Sequence, residues 1–282
     1  MKRRAENPLL SYQLLVFTRN RWKRQPLLYG AVAVSVGLAY LLLFQLVLLG
    51  EPSVIAVWTT ILTAMCILAP LFAYNLFSLE YEKQTWEALA LTRLSAWDIL
   101  WGKWGAALAR IGFTLLLFSP MLAASSPDTL RPYPLLAGAL VVLGWSVLLV
   151  SAGMWLSFKL KRTLPAASTL YAGQVLLLML LPLLYYNLLG GKAPSPQLPT
   201  NYIEGVWWWG QSLAQMRWIV DLNPFATLAR LEEVTRINQE VPDEAQGLFY
   251  LNWGFVQGVL YILIALLFAG LTYRGLKLAW RK

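Results

Sequence analysis

The stretch from Leu79 to Lys103 carries the clearest chemistry in this sequence, and that chemistry is recognition of a partner. It holds four acids and three bases beside a row of large apolar side chains. The apolar residues recur at spacings of three to five, close to one helical stripe: Trp86, Leu89, Leu94, Trp97 and Leu100. Apolar side chains beside charges suit a docking surface. The same composition also suits a surface helix that merely joins two membrane spans.

The residue types that most enzymes need are missing from the sequence. It contains no histidine, and its one cysteine, Cys66, excludes an intrachain disulfide and a cysteine-based metal site. The phosphate-binding pattern G-x-x-x-x-G-K-[ST] is absent, since neither Lys103 nor Lys192 follows a glycine in that context. An intramembrane enzyme is therefore poorly supported, and no cofactor is expected in this chain.

The elements that must position the charged stretch are membrane-spanning helices. Hydrophobic residues make up 58% of the chain and charged residues 13%, which indicates an integral membrane protein. Six apolar runs reach the roughly 20 residues that a span requires, and backbone pairing in a bilayer makes them helices. The runs are 27–49, 53–77, 101–124, 133–158, 164–189 and 249–273. The predicted fold is an all-α membrane protein with one transmembrane domain over residues 1–282.

The distribution of basic residues predicts that both termini are cytoplasmic. Most of the 23 Lys and Arg residues fall on the side of the N-terminus, including the tail at 274–282. The exceptions are Arg131, Lys192, Arg217, Arg230 and Arg236. The net charge of +9 thus reflects topology and attraction to membrane lipids, and it requires no nucleic-acid partner. We expect a multi-pass protein of the plasma (inner) membrane.

Helix-start signals define three further elements. Asn7 and Pro8 begin a helix within residues 1–26 that is apolar on one face and basic at its end, typical of an interfacial elbow helix; a soluble tail is the alternative. Ser95 and Asp98 match a capping box, which predicts a new helix from Ala96 into the third span. The large outer loop, 190–248, restarts a helix at a cap-like triplet: Asn223, Pro224 and Phe225.

Residues 82–95, EKQTWEALALTRLS, and the following ILWGK at 99–103 resemble the signature of ABC-2 type transporter permeases. In that family the stretch reads approximately acid-x-x-Gly-Thr-Leu-Glu and ends in Thr-Pro-Leu-Ser, before a Gly-Lys pair that opens the third span. The matching positions are Thr85, Glu87, Leu89, Thr92, Leu94, Ser95, Gly102 and Lys103. Gln84 and Arg93 stand where the family usually has Gly and Pro. The helix starts at Asn7 and at Asn223 are similar to the same family.

The resemblance implies the permease subunit of an ATP-driven exporter. Residues 79–100, here named the coupling segment, would contain the coupling helix that seats on a separate ABC ATPase subunit, where ATP and Mg bind. The docking residues would be Glu82, Lys83, Thr85, Trp86 and Glu87. A second permease subunit, identical or related, would complete the pathway. The outer loop would be the place for an extracytoplasmic accessory protein.

Polar side chains within the spans are the candidates for lining a transport pathway, although such groups also bond neighbouring helices. They are Gln45, Asn75, Gln174, Asn187 and Gln257. The deep parts of the spans hold essentially no ionisable residue, since Arg110 is close enough to the inner surface to snorkel, and this disfavours an ion-driven carrier. The alternative to an exporter is a six-span membrane scaffold that recruits a cytoplasmic partner and transports nothing.

Overall fold

Helices account for every regular element in the part of the chain that the structure, a computed structural model, describes. The described residues are 37, 38, 41, 44, 45, 53–91, 94–123, 125, 132–188, 220, 222–240 and 244–279. Five candidate spans there are long and apolar enough to cross a membrane, which confirms the prediction of an all-helical membrane protein. The predicted elbow helix at 1–26, most of the predicted span at 27–49 and the loop residues 190–219 lie outside the described residues.

The helices are numbered along the chain. They are α1 (Val54–Ala73), α2 (Ser78–Glu82), α3 (Trp86–Ala90), α4 (Ala96–Ala123), α5 (Pro132–Leu160), α6 (Thr163–Val175), a π-helical turn (Leu176–Leu180), α7 (Leu181–Leu188), α8 (Pro224–Glu240) and α9 (Glu244–Ala279). The span in α4 begins five residues earlier than the apolar run at 101–124, because the capped turn at its start is continuous with it. α6, the π turn and α7 follow one another without a break and form the predicted fifth span.

Helix α5 packs against both α1 and α9 and carries much of the buried core. Glycines allow α5 and α9 to approach closely: a Cβ atom added to Gly144 would lie 2.6 Å from the carbonyl oxygen of Gly258. A Cβ atom on Gly258 would in turn meet the side chain and backbone of Leu140. Within a membrane the hydrophobic effect does not drive helices together, because lipid tails are as apolar as the side chains. Small residues at helix crossings allow the close packing by which such helices associate.

Candidate functional site

The coupling segment begins with a tight turn between α2 and α3. Gln84 has a φ of 56°, in the left-handed region, directly after α2. The N–H of Gln84 donates to the carbonyl of Tyr81 (3.2 Å), and the N–H of Thr85 donates to the carbonyl of Glu80 (2.9 Å). This pair of bonds is the Schellman arrangement that closes many helices, and the left-handed position in it is usually glycine. The turn at Gln84 is therefore a position where a side chain is strained.

The segment ends at the predicted capping box. The N–H of Asp98 donates to Ser95 Oγ (3.2 Å), and the N–H of Ser95 donates to Asp98 Oδ2 (3.1 Å). Helix α4 begins at Ala96, so both the cap and the predicted helix start are confirmed. The predicted break near Thr92 and Arg93 lies outside the described residues.

A buried ion pair attaches α4 to α2. The Lys103 side chain is only 1% exposed, and its Nζ lies 2.5 Å from Glu80 Oε1. The same Nζ donates to the carbonyl of Leu76 and lies 4.9 Å from the centre of the Phe77 ring. The Glu80 side chain is 23% exposed, but its Oε2 is buried and has no hydrogen-bond partner among the described residues, so the carboxylate is largely desolvated as well. A buried charge of this kind is held by its partners, and removing one of them leaves it uncompensated.

A buried serine attaches the same turn to α5. Ser157 Oγ accepts the backbone N–H groups of Phe77 (2.9 Å) and Ser78 (2.8 Å), and it donates to Ser78 Oγ (3.2 Å). These N–H groups belong to the first turn of α2, where a helix has no internal acceptor for them. A side chain of α5 therefore completes the hydrogen bonding at the start of α2.

Glu82 attaches the end of α2 to α6. Its Oε1 accepts the backbone N–H of Thr163 (2.7 Å) and the hydroxyl of Thr163 (2.9 Å). Thr163 is the first residue of α6, where a carboxylate satisfies a free backbone donor and interacts favourably with the helix dipole. Glu82 is thus bonded within its own chain, although its side chain is exposed.

Trp86 belongs to an aromatic cluster that covers the end of α5. Its ring stacks on Tyr81 at a centroid distance of 4.5 Å and lies 6.2 Å from Phe158. Phe77, which is fully buried, meets both Trp86 (6.3 Å) and Phe158 (5.7 Å) edge-on. Trp86 is half-buried in consequence. This cluster anchors α3 to the membrane helices.

The five predicted docking residues therefore lie in one short stretch of the chain but differ in their contacts and exposure. Glu82 and Trp86 contact other helices of the same chain, as described above. The side chains of Lys83, Thr85 and Glu87 are exposed and surround the turn at Gln84. The surface formed by these three residues is named the outer turn face. It combines one cation and one anion on a short, braced pair of helices.

The predicted pathway residues are spread over several places. Gln45 and Asn187 are exposed, and Asn75 lies in the turn after α1. Asn187 donates to the carbonyl of Leu183 within its own helix (2.8 Å). Only Gln174 and Gln257 are buried. Gln174 lines a cavity described below, and Gln257 bonds to Tyr261, which lines the same cavity.

Two prolines explain what the buried polar side chains bind. Proline has no N–H for the carbonyl four residues earlier, so Pro70 frees the carbonyl of Cys66 and Pro182 frees that of Leu178. Gln174 Nε2 donates to the Cys66 carbonyl (3.0 Å). The amide of the Asn223 side chain donates to the Leu178 carbonyl (2.9 Å). Within a bilayer such freed groups must be paired by neighbouring helices.

Helix α8 starts inside the helix bundle. The N–H of Phe225 donates to Asn223 Oδ1 (2.9 Å) and α8 begins at Pro224, which confirms the predicted cap and helix start. Asn223 is buried, and its bond to Leu178 places this start beside the π turn rather than on an outer surface. The sequence gave no indication that this helix start is buried, because the same capping residues begin helices at a solvent-exposed surface and inside a helix bundle.

A buried hydrogen-bond network joins the start of α8 to α9. Thr227 Oγ1 donates to Gln257 Oε1, and Gln257 Nε2 donates to the Tyr261 hydroxyl (2.5 Å). The Tyr261 hydroxyl donates in turn to the carbonyl of Leu222. Gln257 is therefore fully used in holding two helices together, which is the ordinary role of an amide within a bundle.

A cavity of about 360 Å³ lies between α5, α6 with the π turn, and α9. Leucine side chains form half of its lining, and Thr169, Gln174, Asn223 and Tyr261 contribute to it. Two buried polar atoms of residues that line it, Gln174 Oε1 and Trp145 Nε1, have no hydrogen-bond partner among the described residues. The polarity of Gln174 within an apolar run marked it in the sequence, whereas Trp145 gave no signal beyond its size.

The contacts that brace the coupling segment were not predicted, although their residue types carried a partial signal. Glu80 at the end of one span and Lys103 at the start of the next are a natural ion pair, but Ser157 and Thr163 have no distinguishing pattern. No group of side chains in the described part of the chain is suited to holding a metal ion. No model of a known protein family, no curated protein and no solved structure matches this chain.

Proposed function

We propose that this chain is the permease subunit of an ABC-2 type ATP-driven exporter in the plasma (inner) membrane. It would have six spans with both termini cytoplasmic, an N-terminal elbow helix and a coupling helix within residues 79–100. Two such subunits would enclose the pathway, and a separate ATPase subunit would bind ATP and Mg. The observation that carries the proposal is the bracing of the coupling segment against three helices while its outer turn face stays exposed.

A coupling helix must transmit movement, and this requires firm attachment to the spans. Lys103 ties α2 to α4, Ser157 ties it to α5, and Thr163 ties it to α6. A connector that only joined two spans would need none of these contacts, since its two ends already fix it. The three attachments therefore favour a segment that receives force from outside the membrane.

The conformation of Gln84 supports the resemblance on which the proposal rests. The family pattern has glycine at this position, and glycine is the residue that adopts a left-handed conformation without strain. Gln84 has that conformation here, with a φ of 56°. The departure from the family pattern thus retains the turn that the glycine would make. The match between pattern and backbone is independent of the charges and apolar residues that first indicated a docking role.

The test is capture of the ATPase through the outer turn face. The tagged chain is expressed with a candidate ABC ATPase subunit from the same source and purified in nanodiscs, and the ATPase retained is measured. Reversing both charges, with Lys83→Glu and Glu87→Lys, should weaken ATPase binding by about tenfold or more, because like charges would then meet across the interface. Lys277→Glu, an exposed charge reversal in the last turn of α9, is the matched control and should retain binding.

Two results would contradict the proposal at different levels. Absence of any ATPase on the purified wild-type chain would refute the exporter and favour the six-span scaffold. Wild-type binding by the Lys83→Glu, Glu87→Lys variant would refute the outer turn face as the docking surface while leaving the exporter intact. The variant's thermal unfolding should match that of the wild type, since both side chains are exposed.

A further inference from the structure

The cavity between α5, α6, the π turn and α9 opens sideways, toward whatever surrounds the spans. Its floor is on α5, where Trp145 and Leu149 are buried. Its two rims are exposed, with Leu177 of the π turn on one side and Ile264 of α9 on the other. Helices α6 and α9 both pack against α5, so the space between them runs along α5. In a bilayer the medium at this opening is lipid hydrocarbon.

The cavity has the length of one leaflet of a bilayer. On α5 its lining runs from Trp145 to Leu156, which is about 16 Å at a rise of 1.5 Å per residue. The hydrocarbon core of a bilayer is roughly 30 Å thick, so one leaflet contributes about 15 Å. None of the lining residues is charged, and half of them are leucine. An apolar cavity of about 150 Å³ holds benzene, so one of about 360 Å³ leaves room for a longer hydrocarbon chain.

Two exposed bases lie at the end of the cavity that is nearest the coupling segment. Lys159 is three residues after Leu156, so it continues the lining face of α5 about 5 Å further on. Arg274 follows Phe268 of the α9 lining by six residues, or about 9 Å. Both side chains are exposed, and neither has a hydrogen bond or an ion pair within the ranges that the structure describes.

One helix crossing brings the two bases to the same place. Helices α5 and α9 touch where the Phe158 ring meets Gly275, since a Cβ atom added to Gly275 would lie 2.5 Å from that ring. Lys159 and Arg274 are the chain neighbours of these two residues. Their positive charges therefore lie beside a single crossing, at one end of an uncharged cavity.

The other two bases of the turn between α5 and α6 are engaged with α2. Lys161 Nζ lies 5.1 Å from the centre of the Tyr81 ring. The charge of Arg162 interacts with that of Glu82. Lys159 of α5 is thus the base of this turn that remains for an anion at the end of the cavity.

We propose that the cavity binds one acyl chain of an anionic phospholipid, with the headgroup phosphate held by Lys159 and Arg274. The charge pattern matches such a molecule, because the cavity is uncharged over the length of one leaflet and positive at its end. Bases at a membrane surface attract anionic lipid, and each one adds to the attraction. The proposal does not rest on an ATPase partner and holds for a scaffold as well as for an exporter.

The experiment uses phosphatidylglycerol with a photoreactive group in its acyl chain, at a low mole fraction in phosphatidylcholine nanodiscs that hold the purified full-length chain. Unlabelled phosphatidylglycerol or phosphatidylethanolamine then replaces part of the phosphatidylcholine, and labelled peptides are identified by mass spectrometry. Labelling should be saturable and fall on the parts of α5, α6 and α9 that line the cavity. Phosphatidylglycerol should compete at a mole fraction about tenfold lower than phosphatidylethanolamine, because only the former has a net negative charge. Equal competition by the two lipids would overturn the assignment of an anionic ligand.

Two glycine variants test the location. Gly173 lines the cavity, and a Cβ atom there would meet nothing within 4 Å, so Gly173→Leu places a side chain in the space without a clash. It should lose saturable labelling. Gly112→Leu is the matched control, because Gly112 is equally open and does not line the cavity. Equal labelling of the two variants would overturn the site.

Charge variants test the headgroup contact. Lys159→Gln combined with Arg274→Gln should lower the tenfold preference for phosphatidylglycerol to about twofold or less, while the same peptides remain labelled. Lys83→Gln removes an exposed base from the outer turn face and should keep the preference. Loss of the preference in Lys83→Gln, or its retention in the double variant, would indicate a general attraction of the basic surface for anionic lipid and would overturn the headgroup assignment.

Discussion

The ion pair between Lys103 and Glu80 gives the sharpest prediction, because breaking it from either side leaves a charge in a buried position. The Lys103 side chain is 1% exposed, and Glu80, although 23% exposed, has an Oε2 that is buried without a hydrogen-bond partner among the described residues. Glu80→Gln leaves a fully buried cation, and breaking a buried pair in this way typically costs about 3–5 kcal/mol. The carbonyl of Leu76 and the ring of Phe77 still face the amine, so we expect a loss near 3 kcal/mol.

The reverse change should be damaging as well. Lys103→Met leaves a carboxylate whose Oε2 is buried without a hydrogen-bond partner among the described residues, and it removes the hydrogen bond to the Leu76 carbonyl, so a loss of about 3 kcal/mol is expected. The double variant, Glu80→Gln with Lys103→Met, has no orphaned charge. It should be more stable than the sum of the two single losses implies, which is the signature of direct coupling in a double-mutant cycle.

The single cysteine provides the assay. Cys66 is buried in α1, and a thiol-reactive fluorophore reports its exposure as the chain unfolds on heating. A domain of roughly this size loses about 2–4 °C in Tm per kcal/mol, so Glu80→Gln should unfold about 6–12 °C below the wild type. Glu87→Gln, an exposed acid on α3, should not shift Tm. A Lys103→Met variant as stable as the wild type, or purely additive losses in the double variant, would refute the reasoning.

Three further changes can be measured by the same unfolding assay. Gln84→Gly should raise stability by about 1 kcal/mol, because glycine adopts the left-handed backbone conformation of this turn without strain. Gln84→Ala retains a Cβ atom and should give no such gain. A gain with alanine would show that the strain lies in the glutamine side chain and not in the backbone. Gly144→Ala should lower stability by about 1–3 kcal/mol, because its Cβ would meet a backbone carbonyl at 2.6 Å. The control is Gly112→Ala, which lies in open space and should be neutral. Equal effects of the two changes would contradict the close packing of α5 and α9. Ser157→Ala should lower stability by at least about 2 kcal/mol, since two buried N–H groups lose their acceptor. The control is Ser168→Ala, which changes an exposed serine and should have little effect. A neutral Ser157→Ala would mean that another group takes the place of the Ser157 hydroxyl.

Local signals in the sequence predicted the helix starts well, because capping acts within a few residues. The Ser95 and Asp98 pair begins α4, and Asn223 begins α8, each as its residue pattern indicates. The apolar runs predicted the five candidate spans that the structure describes for a similar reason, since the requirement to pair backbone groups in a bilayer depends on length and composition alone. These local signals carry no information about how deeply a helix start is buried in the bundle. The buried position of the start of α8 was therefore not predicted.

Contacts between distant residues could not be predicted, because any acid and any base at the same membrane surface would satisfy the same pattern. Lys103 and Glu80 are 23 residues apart, and Glu82 and Thr163 are 81 apart. Glu82 shows the consequence: its charge and position predicted docking, which stays a prediction, but gave no indication that its carboxylate also caps α6. Gln174 shows a case in which the sequence did help, since its polarity within an apolar run marked it, and its Nε2 group bonds a carbonyl freed by Pro70.

Helix α5 connects the coupling segment to the cavity. Breaking this connection should have different consequences in a driven transporter and in a passive scaffold. Ser157 of α5 binds the first turn of α2, and Trp145, about three turns earlier on the same helix, lines the cavity. No loop intervenes, so a displacement of α2 must move the cavity wall or break the two bonds at Ser157. In an exporter, loss of these bonds by Ser157→Ala should therefore reduce the ATPase activity of the purified complex even in conditions where the variant stays folded. In a scaffold, the same variant should bind its partner as the wild type does.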